Sequence, residues 1–89
     1  MRHPGIAAHA AGQLELARQR LEESTRLRRE TGHLPAAAAN MVGLAYIAAA
    51  QDRGQDAAAL LGEASAIAAA GQAHRVLEQV SEARAALAG

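Results

Sequence analysis

The sequence predicts an all-α fold of antiparallel helices, and three observations predict it. Alanine, the strongest helix former, supplies 26 of the 89 residues. The larger apolar residues recur at i, i+3, i+4 and i+7, the spacing of one helical face. Short polar or glycine-bearing breaks stand at Gly32, at Gln51-Asp52-Arg53-Gly54-Gln55 and at Gly71. Connections this short make successive helices antiparallel neighbours.

The elements follow in chain order. Residues 6–11 form a short helical candidate, preceded by Pro4 and Gly5 and ended by Gly12. Residues 13–31 form a long helix with an inner stripe of Leu14, Ala17, Leu21 and Ser24, joined by Leu27. Its outer face carries Arg18–Glu22, Glu22–Arg26 and Arg26–Glu30 at i,i+4, each pair worth ~0.2–0.5 kcal/mol. Gly32 is the expected left-handed residue after that helix, and Pro35 suits the first turn of the next, residues 35–51. There Met41, Leu44, Ala45 and Ala48 share a face. Gly54 offers the break a residue that takes positive φ without strain. The following helix, ended by Gly71, aligns Ala57, Leu60, Leu61, Ala64 and Ile67, with Leu61 expected to face Leu44 across the hairpin. Residues 73–88 form a last helix with Val76, Leu77, Val80, Ala83, Ala86 and Leu87 on one side.

Length and composition bound what such a chain does. Its 89 residues make one domain, 1–89. Formal net charge is zero, whereas a non-specific polyanion binder needs a basic surplus. With no cysteine, neither a disulfide framework nor a thiolate metal site can form. There is no Phe or Trp and a single Tyr, so the core is thin and its stability is expected at or below the low end of ~5–15 kcal/mol. No apolar run reaches the ~18 residues of a membrane span, and the apolar part of the N-terminus is short and broken by His9, so a cytoplasmic location is expected. All nine basic residues are arginine. Together with the alanine content this resembles the coding bias of actinobacteria-like, high-GC genomes.

An internal repeat is legible. Leu14, Ala17, Leu21, Ser24 and Leu27 are matched in order, at one constant offset, by Gly54, Ala57, Leu61, Ala64 and Ile67. Periods of ~20–50 residues signal solenoid arrays. Within the unit Leu44-Ala45 is a large–small pair, and Ala57, Leu61 and Ala64 form a small–large–small series, which lets helices approach to the short end of ~8–10 Å. These residues resemble the tetratricopeptide repeat, a protein-interaction module. Met41, Ala48 and Asp52 stand where that repeat commonly has an aromatic, a Tyr and a Gly. The step from Ala17 to Ala57 is longer than the usual period of ~34, and the excess is expected in longer helices around Gly32–Pro35. The reading is thus a partial repeat (1–31), a full repeat (35–71) and a terminal helix (73–88), the C-terminal end of a longer array. The phrases Leu27-Arg28-Arg29-Glu30-Thr31-Gly32 and Ala58-Ala59-Leu60-Leu61-Gly62-Glu63-Ala64 resemble the repeat region of actinobacterial LuxR-type and other ATP-dependent transcriptional regulators. No nucleotide-binding loop or DNA-reading helix of that class is present in the sequence.

Catalytic and metal chemistry find no support in the motifs. His3, His9, His33 and His74 lack zinc-ligand spacing, and Ser24, Thr25, Ser65 and Ser81 lie in no nucleophile motif. Carboxylates such as Glu22-Glu23 and Glu78/Glu82 fall on outer faces. Arg18, Arg20, Arg26, Arg28 and Arg29 are interleaved with Glu15, Glu22, Glu23 and Glu30, a salt-bridged face rather than a phosphate track. No enzyme activity, cofactor or metal is expected.

The repeat resemblance implies a concave surface lined by the first helix of each unit, here Ala39, Val42, Tyr46, Ala49 and Ala50, with Arg2, Ile6, His9 and Ala10 from the partial repeat. Val42, Gly43 and Tyr46 differ from the Lys, Asn and Arg of the carboxylate-gripping subset, so an apolar helix or extended peptide is the expected ligand. Val42 and Tyr46 equally suit packing against a neighbouring helix. The function read from sequence is a protein-interaction scaffold of a bacterial regulatory protein, with a fragment of a DNA-associated regulator as the alternative. The uncovered stripe of helix 13–31 leads to the expectation of a homodimer through the N-terminal edge.

Overall fold

The computed structural model describes residues 4–88, with side chains from residue 10 onward. All four of its elements are α-helices: α1 Pro4–Glu30, α2 Leu34–Ala50, α3 Gly54–Ala70 and α4 His74–Leu87. Among the described residues no helix is long and apolar enough to cross a membrane. Helix α2 packs against α1, α3 and α4, and α4 also packs on α3. The principal extents are 49 × 30 × 19 Å.

The turns set the geometry, and all three are built alike. His33 N–H donates to Arg28 O at 2.7 Å and Gly32 N–H to Arg29 O at 3.3 Å. The same two bonds recur from Arg53 to Ala48 and Asp52 to Ala49, then from Ala73 to Ala68 and Gln72 to Ala69. This is the Schellman motif, in which a left-handed residue lets the chain satisfy the last helical carbonyls. The left-handed residues are Gly32 (φ 81°), Asp52 (φ 62°) and Gln72 (φ 55°). They are evenly spaced along the chain, and the two helices between them, α2 and α3, are each 17 residues long. The sequence repeat therefore spans two helix-plus-turn units. The residue after each left-handed position also opens the next helix, since Ala37, Ala57 and Leu77 donate their N–H groups to the carbonyls of His33, Arg53 and Ala73.

Several sequence expectations are corrected here. Gly54 does not take the positive φ; Asp52 does, and Gly54 is the first residue of α3. Gly71 ends α3 as expected, capping it at φ −93°, while Gln72 carries the left-handed turn. Gly12 does not end a helix. Residues 6–11 and 13–31 belong to one helix, Pro4–Glu30. Gly12 precedes Gly32 by the same interval that separates Gly32 from Asp52, so another turn there would keep the period, yet the helix runs through it. Extending an existing helix through Gly12 adds one hydrogen bond per residue. A mid-helix glycine costs only ~1 kcal/mol against alanine.

The core lies where α2, α3 and α4 meet. Ala38, Met41, Val42, Ala45 and Ala48 of α2 close on Ala57, Leu61, Ala64 and Ala68 of α3 and on Val76, Val80 and Ala83 of α4. Leu61 is 3% exposed, while Leu44, though buried, lies outside this cluster. Leu44 instead floors the trough between α1 and α3 with Leu60, so the expected Leu44–Leu61 pairing is replaced by Leu44 beside Leu60. Against α1, Leu21 Cδ1 sits 3.4 Å from where a Cβ on Gly43 would stand. Thr25 is buried and donates its hydroxyl to Leu21 O at 2.6 Å. Ala17, Leu21 and Ser24 are only half-buried, whereas Ala57, Leu61 and Ala64, their counterparts in the repeat, are buried. Leu27, expected on the inner stripe, is 47% exposed.

Two substitutions test this backbone. Gln72 bears the ~1–2 kcal/mol cost of a left-handed residue with a Cβ. Gln72→Gly is expected to gain roughly 0.5–1 kcal/mol after glycine's greater unfolded-state freedom is counted, raising the melting midpoint by about 4 °C. Gly12→Ala, with open space around it, should raise helical ellipticity, favouring the helix by about 0.5–1 kcal/mol. A fall in ellipticity would instead place a left-handed turn at residue 12.

Candidate functional site

Helices α2 and α4 bound a shallow groove of about 310 Å3, lined by Ala39, Val42, Gly43 and Tyr46 of α2 and by Gln79 and Glu82 of α4. The short side chain of Ala39 keeps the floor low. Tyr46, the only aromatic residue, is 42% exposed on the wall. Glu82 is exposed and makes no ion pair among the described residues.

The sequence-expected surface maps onto this groove in part. Ala39, Val42 and Tyr46 come together there. Val42 is 6% exposed, a member of the core cluster, and also lines the groove floor. Ala49 faces elsewhere, into a cleft of about 390 Å3 with Gly54, Leu61, Arg84 and Leu87. Ala50 is exposed and lines neither cleft. Ile6 and His9 ride on continuous α1 rather than on a separate first helix, so the register that set them beside Val42 and Tyr46 is lost; their side chains, and Arg2, lie outside the described residues. Ala10 is exposed on α1.

Gln79 and Glu82 were not singled out from sequence as groove residues. The signal was present, because they follow Ala39 and Val42 at the same offset that relates Ala17 to Ala57. Extending the repeat register into the last helix would have found them.

The charged residues of α1 form a second feature, and it is architectural. Arg18 is held between two carboxylates: Nε donates to Glu15 Oε1 at 3.1 Å, Nη1 to Glu22 Oε2 at 2.9 Å, and Nη2 bonds Glu15 Oε2. The hydrogen bond from Arg18 is the main cause that holds the Glu15 carboxyl below its ordinary pKa, against the opposing effect of burial. The charges of Arg18 and, more weakly, of Arg53 in the α2–α3 turn add to it. The Arg18 guanidinium is raised in turn, first by Glu15. Arg26 pairs with Glu30 at 3.2 Å and more loosely with Glu23 at 3.7 Å, in place of the expected Glu22–Arg26 pair. Arg29 crosses to Glu63 of α3 at 2.7 Å. Ser24 accepts a bond from Asn40 Nδ2 at 3.0 Å, which links α1 to α2. Among the described residues no three His, Asp or Glu side chains gather as a metal site.

Compared with known proteins, the chain matches no family model, no curated protein and no solved structure.

The lowered Glu15 pKa has a definite sign. Its stabilising contribution is present above the unfolded-state pKa and is lost as pH falls through the depressed folded value. Glu15→Gln is therefore expected to lower the urea midpoint near pH ~7 but to match wild type near pH ~2. Equal urea midpoints for the two proteins at neutral pH would remove the cluster's role.

Proposed function

We propose that this chain is a tetratricopeptide-like interaction module, a scaffold element of a bacterial regulatory protein, that holds a segment of another protein in the groove between α2 and α4. Equal helix–turn units packed on their neighbours support the solenoid reading, because such arrays repeat one supersecondary unit. The observation that carries the binding reading is Tyr46: the one aromatic side chain stands half out of the core above a floor of Ala39 and Val42. Tyrosine offers a large rigid apolar face and a polar tip, which suits it to interfaces. Glu82 on the opposite wall favours a segment that sets a basic side chain beside an apolar one. The reading involves no catalysis and no cofactor. Assignment to a regulator rests on the two repeat phrases around Leu27 and Leu60.

Selection of a displayed peptide library against the immobilised chain should enrich such segments. Tyr46→Ala should then weaken a selected peptide about tenfold or more, a loss of ~1.4 kcal/mol. Its melting midpoint should move little, since residue 46 is not buried. A collapse of the melt with unchanged peptide affinity would make Tyr46 a packing residue and defeat the groove assignment.

A further inference from the structure

Helix α1 carries a second stripe that the fold leaves unused. Leu16, Arg20, Glu23 and Leu27 recur at i, i+4, i+7 and i+11, so they lie along one face of the helix. All four are exposed, Leu16 at 49% and Leu27 at 47%. The stripe points away from the side that meets α2, where Thr25 is buried and Leu14 and Leu21 are half-buried. Among the described residues α1 packs on α2 and not on α3 or α4, and the Arg29–Glu63 bond is its one side-chain link to α3. Among the described residues Arg20 has no ion pair, and Glu23 has only the 3.7 Å approach of Arg26.

We infer that this stripe is the seam of a two-fold dimer, with a second copy of this chain as its occupant. Its order is self-complementary when read backwards. Leu16 and Leu27 lie equally far on either side of the midpoint between Leu21 and Glu22, and so do Arg20 and Glu23. Two α1 helices laid antiparallel about that midpoint set Leu16 against Leu27 of the other copy, and Arg20 against Glu23, each pair occurring twice. An isologous interface needs this property, because the same patch must complement itself. The N-terminal part of α1, which runs on past the length of α2, would then lie beside the other copy's α1–α2 turn, where Leu34 is 44% exposed. A single helix pair is at the small end of specific interfaces, so the dimer is expected to be of micromolar strength. None of the groove residues is on α1, so the seam stands apart from the groove reading, and both grooves stay open in the dimer.

Sedimentation equilibrium of the full chain from about 1 µM to about 1 mM reads this directly, spanning the range of weak interfaces. Wild type should dimerise with a Kd on the order of tens of micromolar. Arg20→Glu and Glu23→Arg should each weaken the dimer about tenfold, since each reversal acts twice and sets like charges together. Mixing those two variants should restore association, because across an antiparallel seam each reversed charge meets an opposite one. Leu16→Glu should leave only monomer. Circular dichroism should show all of these surface variants as helical as wild type. Wild type that is monomeric at about 1 mM would overturn the inference. So would charge-reversal variants that dimerise as tightly as wild type, or a mixture no tighter than its components. A Leu16→Glu chain still dimeric with its helicity intact would overturn the seam as well.

Discussion

Everything in this structure depends on how closely three helices approach α2. Its contact surface is made of Ala38, Val42, Ala45 and Ala48, with Met41 the one long side chain that α2 adds to the central cluster. Alanine reaches only one carbon from the backbone, so contact between alanine-rich faces requires the helix axes themselves to come close. The consequence is a core whose largest fully buried side chain is Val80. Such a core draws its stability from many short contacts and little apolar volume. Each larger side chain in it, Leu61 above all, therefore carries a disproportionate share of the burial.

Close approach along the length of a helix tolerates little error in register, and the turns supply that register. Three evenly spaced Schellman turns return the chain at the same phase each time, so that Ala57, Leu61 and Ala64 meet α2 as a continuous stripe. The two non-glycine left-handed residues show that register was kept despite local strain. At the N-terminal end the periodicity is not continued. Helix α1 extends straight through Gly12, and the positions equivalent to a buried stripe are half-open.

The two surfaces singled out above follow from that architecture. The groove exists because small residues on α2 leave space beside α4 and because Tyr46 stands beyond the close-packed zone. The seam on α1 exists because, among the described residues, that helix packs on α2 from one side. The Glu15–Arg18–Glu22 pairs lie within α1 and the Arg29–Glu63 bond ties it to α3, and neither covers its outer face.

The sequence by itself determined the helical class, the principal helical stretches to within a residue or two at most ends, and the internal repeat. Helix propensity and apolar spacing are local properties, legible without tertiary contacts. It also determined Leu61, Val76 and Val80 as core, because each has an apolar residue at i+3 or i+4 on the same face: Ala64, Val80 and Ala83. The groove was half legible: Ala39, Val42 and Tyr46 came from the repeat register, while Gln79 and Glu82 lay in a helix to which that register had not been extended. Only the tertiary structure decided that Asp52, not Gly54, takes the left-handed turn after α2, and that Gln72 takes the one after α3. The left-handed position is chosen by where the next helix must dock, and polar residues as well as glycine can take it. Only the tertiary structure decided that α1 is unbroken, since glycine marks a helix end only when something beyond it gains by turning back. Leu27 lies on the open side of α1 for a related reason. A spacing of three or four residues places it near the inner stripe, but which side of a helix is inside is decided by the helix that packs there, and α1 has only α2.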